Sequence, residues 1–144
     1  MKVLFICRAN AGRSQMAEAI FNSLTNKHKA TSAGSNVKDE GMTGSPPDER
    51  VITALEEVGL DISACKRKQV TPKMVEYVDK VIVLMQKDEA RTCLPSYISN
   101  SKKTEYWTVR DMRGSIDPEF HRGVRNEIEK RVKLLIKKLD KLNE

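Results

Sequence analysis

Aromatic residues are scarce in this chain of 144 residues: three Phe, three Tyr and one Trp. That scarcity bears on the most basic stretch, where Arg122, Arg125, Lys130, Arg131, Lys133, Lys137, Lys138 and Lys141 crowd together. No aromatic is interleaved with them to stack on bases, so they read as a solvated helix face with cations near a C-terminus. No nucleic-acid partner is expected. Long apolar runs are also missing. Nothing approaches the ~18 residues of a membrane span, and residues 1–6 lack the apolar core and cleavage site of a secretory leader. Cysteine is sparse, with Cys7, Cys65 and Cys93 too far apart for a disulfide framework. A reactive thiol is best kept in a reducing compartment, so the expectation is cytoplasmic, with no membrane partner.

What is present is an ordinary globular balance, 39% hydrophobic and 32% charged. The length suits one domain over residues 1–144, with no repeat, linker or low-complexity segment. The net charge of +6 suits an anionic substrate, because a positive field raises encounter rates.

One short stretch organises the rest: Cys7-Arg8-Ala9-Asn10-Ala11-Gly12-Arg13-Ser14. Before it, Val3-Leu4-Phe5-Ile6 is a continuous apolar run and reads as a strand buried on both faces. After it, Met16, Ala17, Ile20, Phe21 and Leu24 recur at helical spacing. A helix start presents unpaired N–H groups and partial positive charge, and so binds oxyanions. A loop of successive N–H groups adds an anion nest, here Arg8, Ala9, Asn10, Ala11 and Gly12. Cys7, beside the Arg13 guanidinium, is expected there as a nucleophilic thiolate. Arg13 would hold equatorial oxygens through its planar fork. Ser14 could hydrogen-bond the sulfur, and Asn10 and Gly12 both suit a left-handed kink. The plain alternative is a buried strand-end Cys beside a helix start.

The remaining elements alternate. Helix one is expected over about Ser14–Asn26, and a short strand over Ala30–Ala33. A helix should start at Ser45-Pro46-Pro47-Asp48, capped by Ser45, burying Val51, Ile52, Leu55 and Val58 and stopping at Gly59. Thr71-Pro72 starts a short helix, with Met74, Val75 and Val78 inward. Val81–Leu84 is a third buried strand, Lys87–Thr92 a short helix, and Thr104–Trp107 a weaker strand near an edge. Phe120, Val124, Ile128, Val132, Leu135, Leu139 and Leu142 form one long helical stripe. The pattern predicts an α/β fold, a single-domain three-layer α/β/α sandwich around a four-stranded parallel sheet, Rossmann-like. Ligands then bind beyond the strands' carboxyl ends, where Cys7 lies.

The run Cys-x-x-Asn-x-x-Arg-Ser so near the start resembles the low-molecular-weight protein phosphatase family, which shares its fold with thioredoxin-coupled arsenate reductases. Arg13-Ser14-Gln15-Met16-Ala17-Glu18 is similar to its prokaryotic and reductase-like branch, and Ser32-Ala33-Gly34 to its second strand. The resemblance spans nearly the whole chain. It implies the phosphatase type of Rossmann-like fold, a Cys7 nucleophile, Arg13 and the loop as the phosphate cradle, and no cofactor or metal.

Phosphate ester cleavage through a thiolate needs a proton donor for the leaving oxygen, then a base for water. His28 and His121, the only histidines, are each expected at the surface. Two carboxyls compete. Asp117-Pro118 looks like the family's acid pair but also reads as an N-cap and first helical residue. Asp111, four residues after Trp107, has a spacing that resembles the family's acid loop, although Met112 stands where the family usually has Pro. Asp111 is the favoured acid.

An arsenate reductase would share Cys7 and the cradle but needs further thiols to release arsenite. The resemblance aligns Met85 with the first of these and Cys93 near the second. Cys93 is therefore the candidate redox residue, in an incomplete relay that would need thioredoxin or a small thiol. Cys65 reads as an ordinary half-buried Cys. Tyrosine-specific members resemble one another in aromatic pocket walls. Residues 35–50 contain none here, leaving Tyr106 or Trp107, and Arg113 could favour a more anionic substrate. The expected function is phosphomonoester hydrolysis through a phosphocysteine, on a phosphorylated protein or small phosphomonoester, with phosphate, arsenate and vanadate as oxyanion ligands. The alternatives are arsenate reduction and a non-catalytic phosphate or redox sensor.

Overall fold

The structure, a computed structural model, describes residues 1–142. Four parallel strands form one sheet: β1 (Lys2–Cys7), β2 (Lys29–Gly34), β3 (Lys80–Leu84) and β4 (Thr104–Trp107), in the order β2-β1-β3-β4. The apolar runs of β1 and β3 occupy the two central places, covered on both faces, which is why they show no polar alternation. β2 and β4 are the two edge strands, β4 as its weaker pattern predicts.

Parallel strands need crossovers, and helices supply them. α1 (Arg13–Leu24) joins β1 to β2. α2 (Glu49–Glu56) and α3 (Pro72–Tyr77) lie between β2 and β3, and α4 (Lys87–Cys93) and α5 (Ser96–Ser99) between β3 and β4. α6 (Pro118–Leu142) follows β4. One core packs Phe5, Ile82 and Leu84 against Phe21, Leu55, Ile128 and Leu139; Phe5 meets Phe21 edge-on at 5.9 Å and Trp107 at 5.7 Å. The other face packs Leu4, Ile6, Val81 and Val83 against Val75 and Ile98. The chain leaves β1 for β2 on one side and later returns to β3 on the other, so the sheet's switch point falls at the end of β1.

Several boundaries differ from the sequence reading. Helix α1 ends at Leu24, two residues short of the expectation. α2 begins at Glu49, capped by Asp48, whose carboxylate accepts from the Arg50 N–H. Ser45 lies three residues before that cap and pairs elsewhere: its carbonyl accepts from Arg67 N–H, and the Pro46 carbonyl accepts from Arg67 Nε. Val58 is exposed, since α2 has ended by then and Gly59 turns with φ of 84°. Leu142, the last of the stripe, is exposed too. The one-turn helix α5 carries no amphipathic signal long enough to read. His28 is buried rather than superficial; its Nε2 meets Asp140 Oδ1 at 2.9 Å, tying the end of α6 to the start of β2.

Candidate active site

Cys7 is the last residue of β1, 2% exposed, at the base of a hollow of about 280 Å³. The loop that leaves it is held by polar side chains on its inner side. Asn10 takes the left-handed conformation, φ 51°, as expected. Its amide donates to Ser14 Oγ at 2.7 Å and to Ser32 Oγ at 3.1 Å, while its Oδ1 accepts from Lys68 N–H at 3.0 Å. Ser14 Oγ therefore accepts from Asn10 and has its own hydrogen left for Cys7 Sγ, 3.0 Å away. The predicted contact between Ser14 and the sulfur is present.

Gly12 is not left-handed; its φ is −140°. What it supplies is room, because a Cβ there would lie 2.8 Å from Met112 Cε and 3.2 Å from Val51 Cγ2. Gly34, opposite Cys7 in the sheet register, has the same function more strictly. A Cβ on it would stand 2.7 Å from the Arg8 carbonyl and 2.8 Å from Asn10 N.

Arg13 opens α1, 3% exposed. Its terminal nitrogens do not point free into the cradle. Nη1 donates to Glu89 Oε1 at 2.7 Å and to the Val109 carbonyl at 3.2 Å, and Nη2 donates to Glu89 Oε2 at 2.8 Å. This end-on pair leaves Nε and the second Nη2 hydrogen, the side-on fork, for an oxyanion. Burial opposes the charge on Arg13, but Glu89, Cys7 and Asp111 outweigh it and its pKa is raised. Burial likewise works against the Glu89 carboxylate, yet Arg13 holds its pKa below the usual range. Glu89 escaped the sequence reading. Its one local signal is the box Gln86-x-x-Glu89 that starts α4, where the Glu89 carboxylate also accepts from Gln86 N–H.

Of the two candidate acids, Asp111 lines the hollow and Asp117 does not. Asp111 Oδ1 lies 3.9 Å from Arg13 Nη2 and accepts from Arg113 N–H at 2.9 Å. Asp117 accepts from Glu119 N–H at 3.0 Å, as a cap of α6 does. Met112 is buried and lines the wall beside Gly12. Arg113 is engaged by Glu40 at 3.0 Å, and Glu40 also lies 3.4 Å from Arg8 Nε. The expected use of Arg113 toward an anionic substrate thus competes with a carboxylate already in place. Glu40 and Arg67, both in the lining, were not singled out in the sequence.

His121 overturns its surface expectation. It is 2% exposed and lines the hollow. Its Nδ1 lies 2.9 Å from the Asp117 carbonyl, which can only accept. Nδ1 therefore carries a hydrogen and donates it to that carbonyl.

The aromatic walls expected of Tyr106 or Trp107 do not form. Trp107 is packed in the core on Phe5, and Tyr106 faces a separate surface hollow beside Met85 and Leu94. Among the described residues the hollow beside Cys7 has Met42, Val51 and Met112 in its lining instead, with no Phe, Tyr or Trp. Cys93 packs against the other face of the sheet, beside the core that contains Met85, and does not line the hollow. Cys65 is half-buried against the first core; burial first, and Glu18 second, push its thiol pKa up.

A cysteine at the end of a central strand, where a loop turns into a helix start at the switch point of a parallel sheet, defines an α/β protein of Rossmann-like type. Residues 2–144 match the family described as Low molecular weight phosphotyrosine protein phosphatase, and the chain belongs to that family. It is similar to arsenate reductase 1 of Staphylococcus haemolyticus, 34% identical over 130 residues and covering 90% of each chain. It is similar to the glutaredoxin arsenate reductase of Synechocystis, 32% identical over 139 residues, 96% of this chain and 98% of that one. Among solved structures, a low-molecular-weight protein tyrosine phosphatase from T. tengcongensis superposes with a TM-score of 0.81 at 26% identity, over 96% of this chain and 99% of the other. The family is enzymatic, and both phosphatases and arsenate reductases stand among these relatives.

Proposed function

We propose that this protein is a cysteine-dependent phosphomonoester hydrolase. The observation that carries the reading is the position of Asp111. It shares the hollow with Cys7, within 3.9 Å of the same guanidinium that flanks the thiol. A carboxyl acid placed there can protonate the poor alkoxide or phenoxide leaving group of a phosphomonoester.

In this mechanism the loop N–H groups and the side-on edge of Arg13 hold the three non-bridging oxygens. Cys7 Sγ attacks phosphorus, the bond to the ester oxygen breaks, and protonated Asp111 gives its proton to that oxygen. Ionised Asp111 then takes a proton from water as it attacks the phosphocysteine. Phosphate departs and the sulfur leaves as thiolate, stabilised by the Ser14 hydroxyl. Phosphorylated proteins and small phosphomonoesters are the substrate class. Phosphate, arsenate and vanadate are expected as competitive oxyanions, and the residues call for no metal or other cofactor. A reducing, cytoplasmic setting suits the thiol.

A second reading, arsenate reduction, is favoured by the names of the curated relatives. It would use Cys7 on arsenate and require a thiol from thioredoxin, glutaredoxin or a small molecule, because Met85 and the position of Cys93 leave the internal relay incomplete.

The test is hydrolysis of p-nitrophenyl phosphate, with a chelator present, by the parent, Cys7→Ser and Asp111→Asn. Parent turnover that falls by ~10⁴-fold or more in Cys7→Ser supports the hydrolase. No parent turnover, with arsenite released from arsenate on adding glutathione, establishes the second reading instead.

A further inference from the structure

Beside the catalytic hollow lies a second one, of about 210 Å³, and His121 is a wall of both. Ala54 of α2, Ile116, Pro118 and the His121 ring give it an apolar floor, with Thr53 on its flank. Ile116 is 76% exposed, an isoleucine left in water between the acid loop and the cap of α6. Glu57, which also lines the hollow, is committed to Arg122 at 2.8 Å and Arg125 at 2.9 Å. Glu49 and Arg50, both exposed, complete the lining, so the apolar surface of the hollow is the floor of Ala54, Pro118 and His121, with the unpartnered Ile116 beside it.

Resting on the hydrolase reading, we propose that this second hollow is a substrate subsite for an apolar side chain close in sequence to the phosphorylated residue of a protein. Two hollows that share one imidazole are neighbours on the scale of one or two residues, since an extended chain advances ~3.3–3.6 Å per residue. A segment whose phosphorylated residue enters the first hollow passes the second. Leu, Ile, Met or Val is the class that this floor takes, because burying it against Ile116 removes apolar surface from water on both sides. A small phosphomonoester fills the first hollow alone and gains nothing from the second.

The experiment compares kcat/KM for two phosphotyrosine peptides, identical except for Leu or Asp at the two flanking positions, with p-nitrophenyl phosphate as the small substrate. The parent is expected to prefer the Leu peptide about tenfold. Ile116→Glu, at an exposed position outside the catalytic hollow, is expected to reduce that preference to within about twofold. Turnover of p-nitrophenyl phosphate stays unchanged. Thr53→Arg, which fills the hollow from the other side, is expected to do the same. No preference in the parent, or a preference that survives both substitutions, overturns the subsite while the hydrolase stands. Absence of turnover on every substrate overturns the hydrolase and the subsite with it. A concentration-dependent dimer lost in Ile116→Glu, with peptide preference intact, assigns the face to self-association and also overturns the proposal.

Discussion

Glu89 meets Arg13 end-on with both carboxylate oxygens, Oε1 to Nη1 at 2.7 Å and Oε2 to Nη2 at 2.8 Å. The pair ties α4 to the first residue of α1 and leaves the other edge of the guanidinium, in the hollow that Cys7 also lines, without a carboxylate partner. Arg13 is nearly inaccessible, so removing the carboxylate strands a buried charge. Glu89→Ala is expected to cost about 3 kcal/mol of stability. It is also expected to weaken inhibition by inorganic phosphate about tenfold, because the fork loses its fixed direction. Urea unfolding and a phosphate inhibition constant measure the two effects. An unchanged inhibition constant would show that the loop N–H groups orient the anion alone.

The two carboxyls near the hollow separate by leaving group. Asp111→Asn is expected to lower kcat about 10²-fold for phenyl phosphate and much less for p-nitrophenyl phosphate, whose leaving group needs little protonation. Asp117→Ala is expected to leave both rates near the parent value and cost about 1 kcal/mol, the loss of a helix cap. The opposite assignment would reverse the two leaving-group dependences.

Acid acts on the junction between α2 and α6. Arg122 first, then Arg125, hold the Glu57 carboxyl at about 2 against an ordinary 4.5. A depressed folded-state value means that the contribution is complete above about 4.5 and is lost as pH falls toward 2. The Tm difference between the parent and Glu57→Gln is thus expected to be constant from pH 7 to 5 and to close below. A gap that persisted at pH 2 would assign the effect to packing rather than charge.

Gly34→Ala is expected to destabilise by about 2 kcal/mol or more, because the added methyl meets the backbone of Arg8 and Asn10, which cannot step aside singly. Gly12→Ala meets only the flexible end of Met112 and the side chain of Val51. It is expected to be milder in urea but to raise KM, as Met112 moves within the catalytic wall. Equal stabilities for the two variants would contradict this ordering.

Much of the fold was legible because its central strands are unbroken apolar runs and its last helix has a strict stripe. Cys7, Arg13 and Ser14 were legible because anion cradles are local, made by one loop and one helix start. His121 is not legible as buried while the stripe is counted from Phe120, four before Val124. Begun at His121 the spacing is three and then four, an equally good helical face, and His121 is the more buried residue. Glu89 and Glu40 had no such route. Each finds its arginine across more than seventy residues, Glu89 to Arg13 across 76 and Glu40 to Arg113 across 73. No local periodicity encodes a partner at that distance. Trp107 went astray for a related reason: the sequence marks it as large and apolar, and the sheet register decides that it faces Phe5.

The lining of the catalytic hollow is gathered from residues as far apart as Cys7 and His121. Chain closures of that length are slow compared with helix growth. No piece shorter than residues 7–121 contains the whole lining, and a half-assembled molecule can be rich in helix yet have no place for a phosphate. Turnover regained after dilution from denaturant is therefore a clock for the final long-range docking, and far-ultraviolet signal is not.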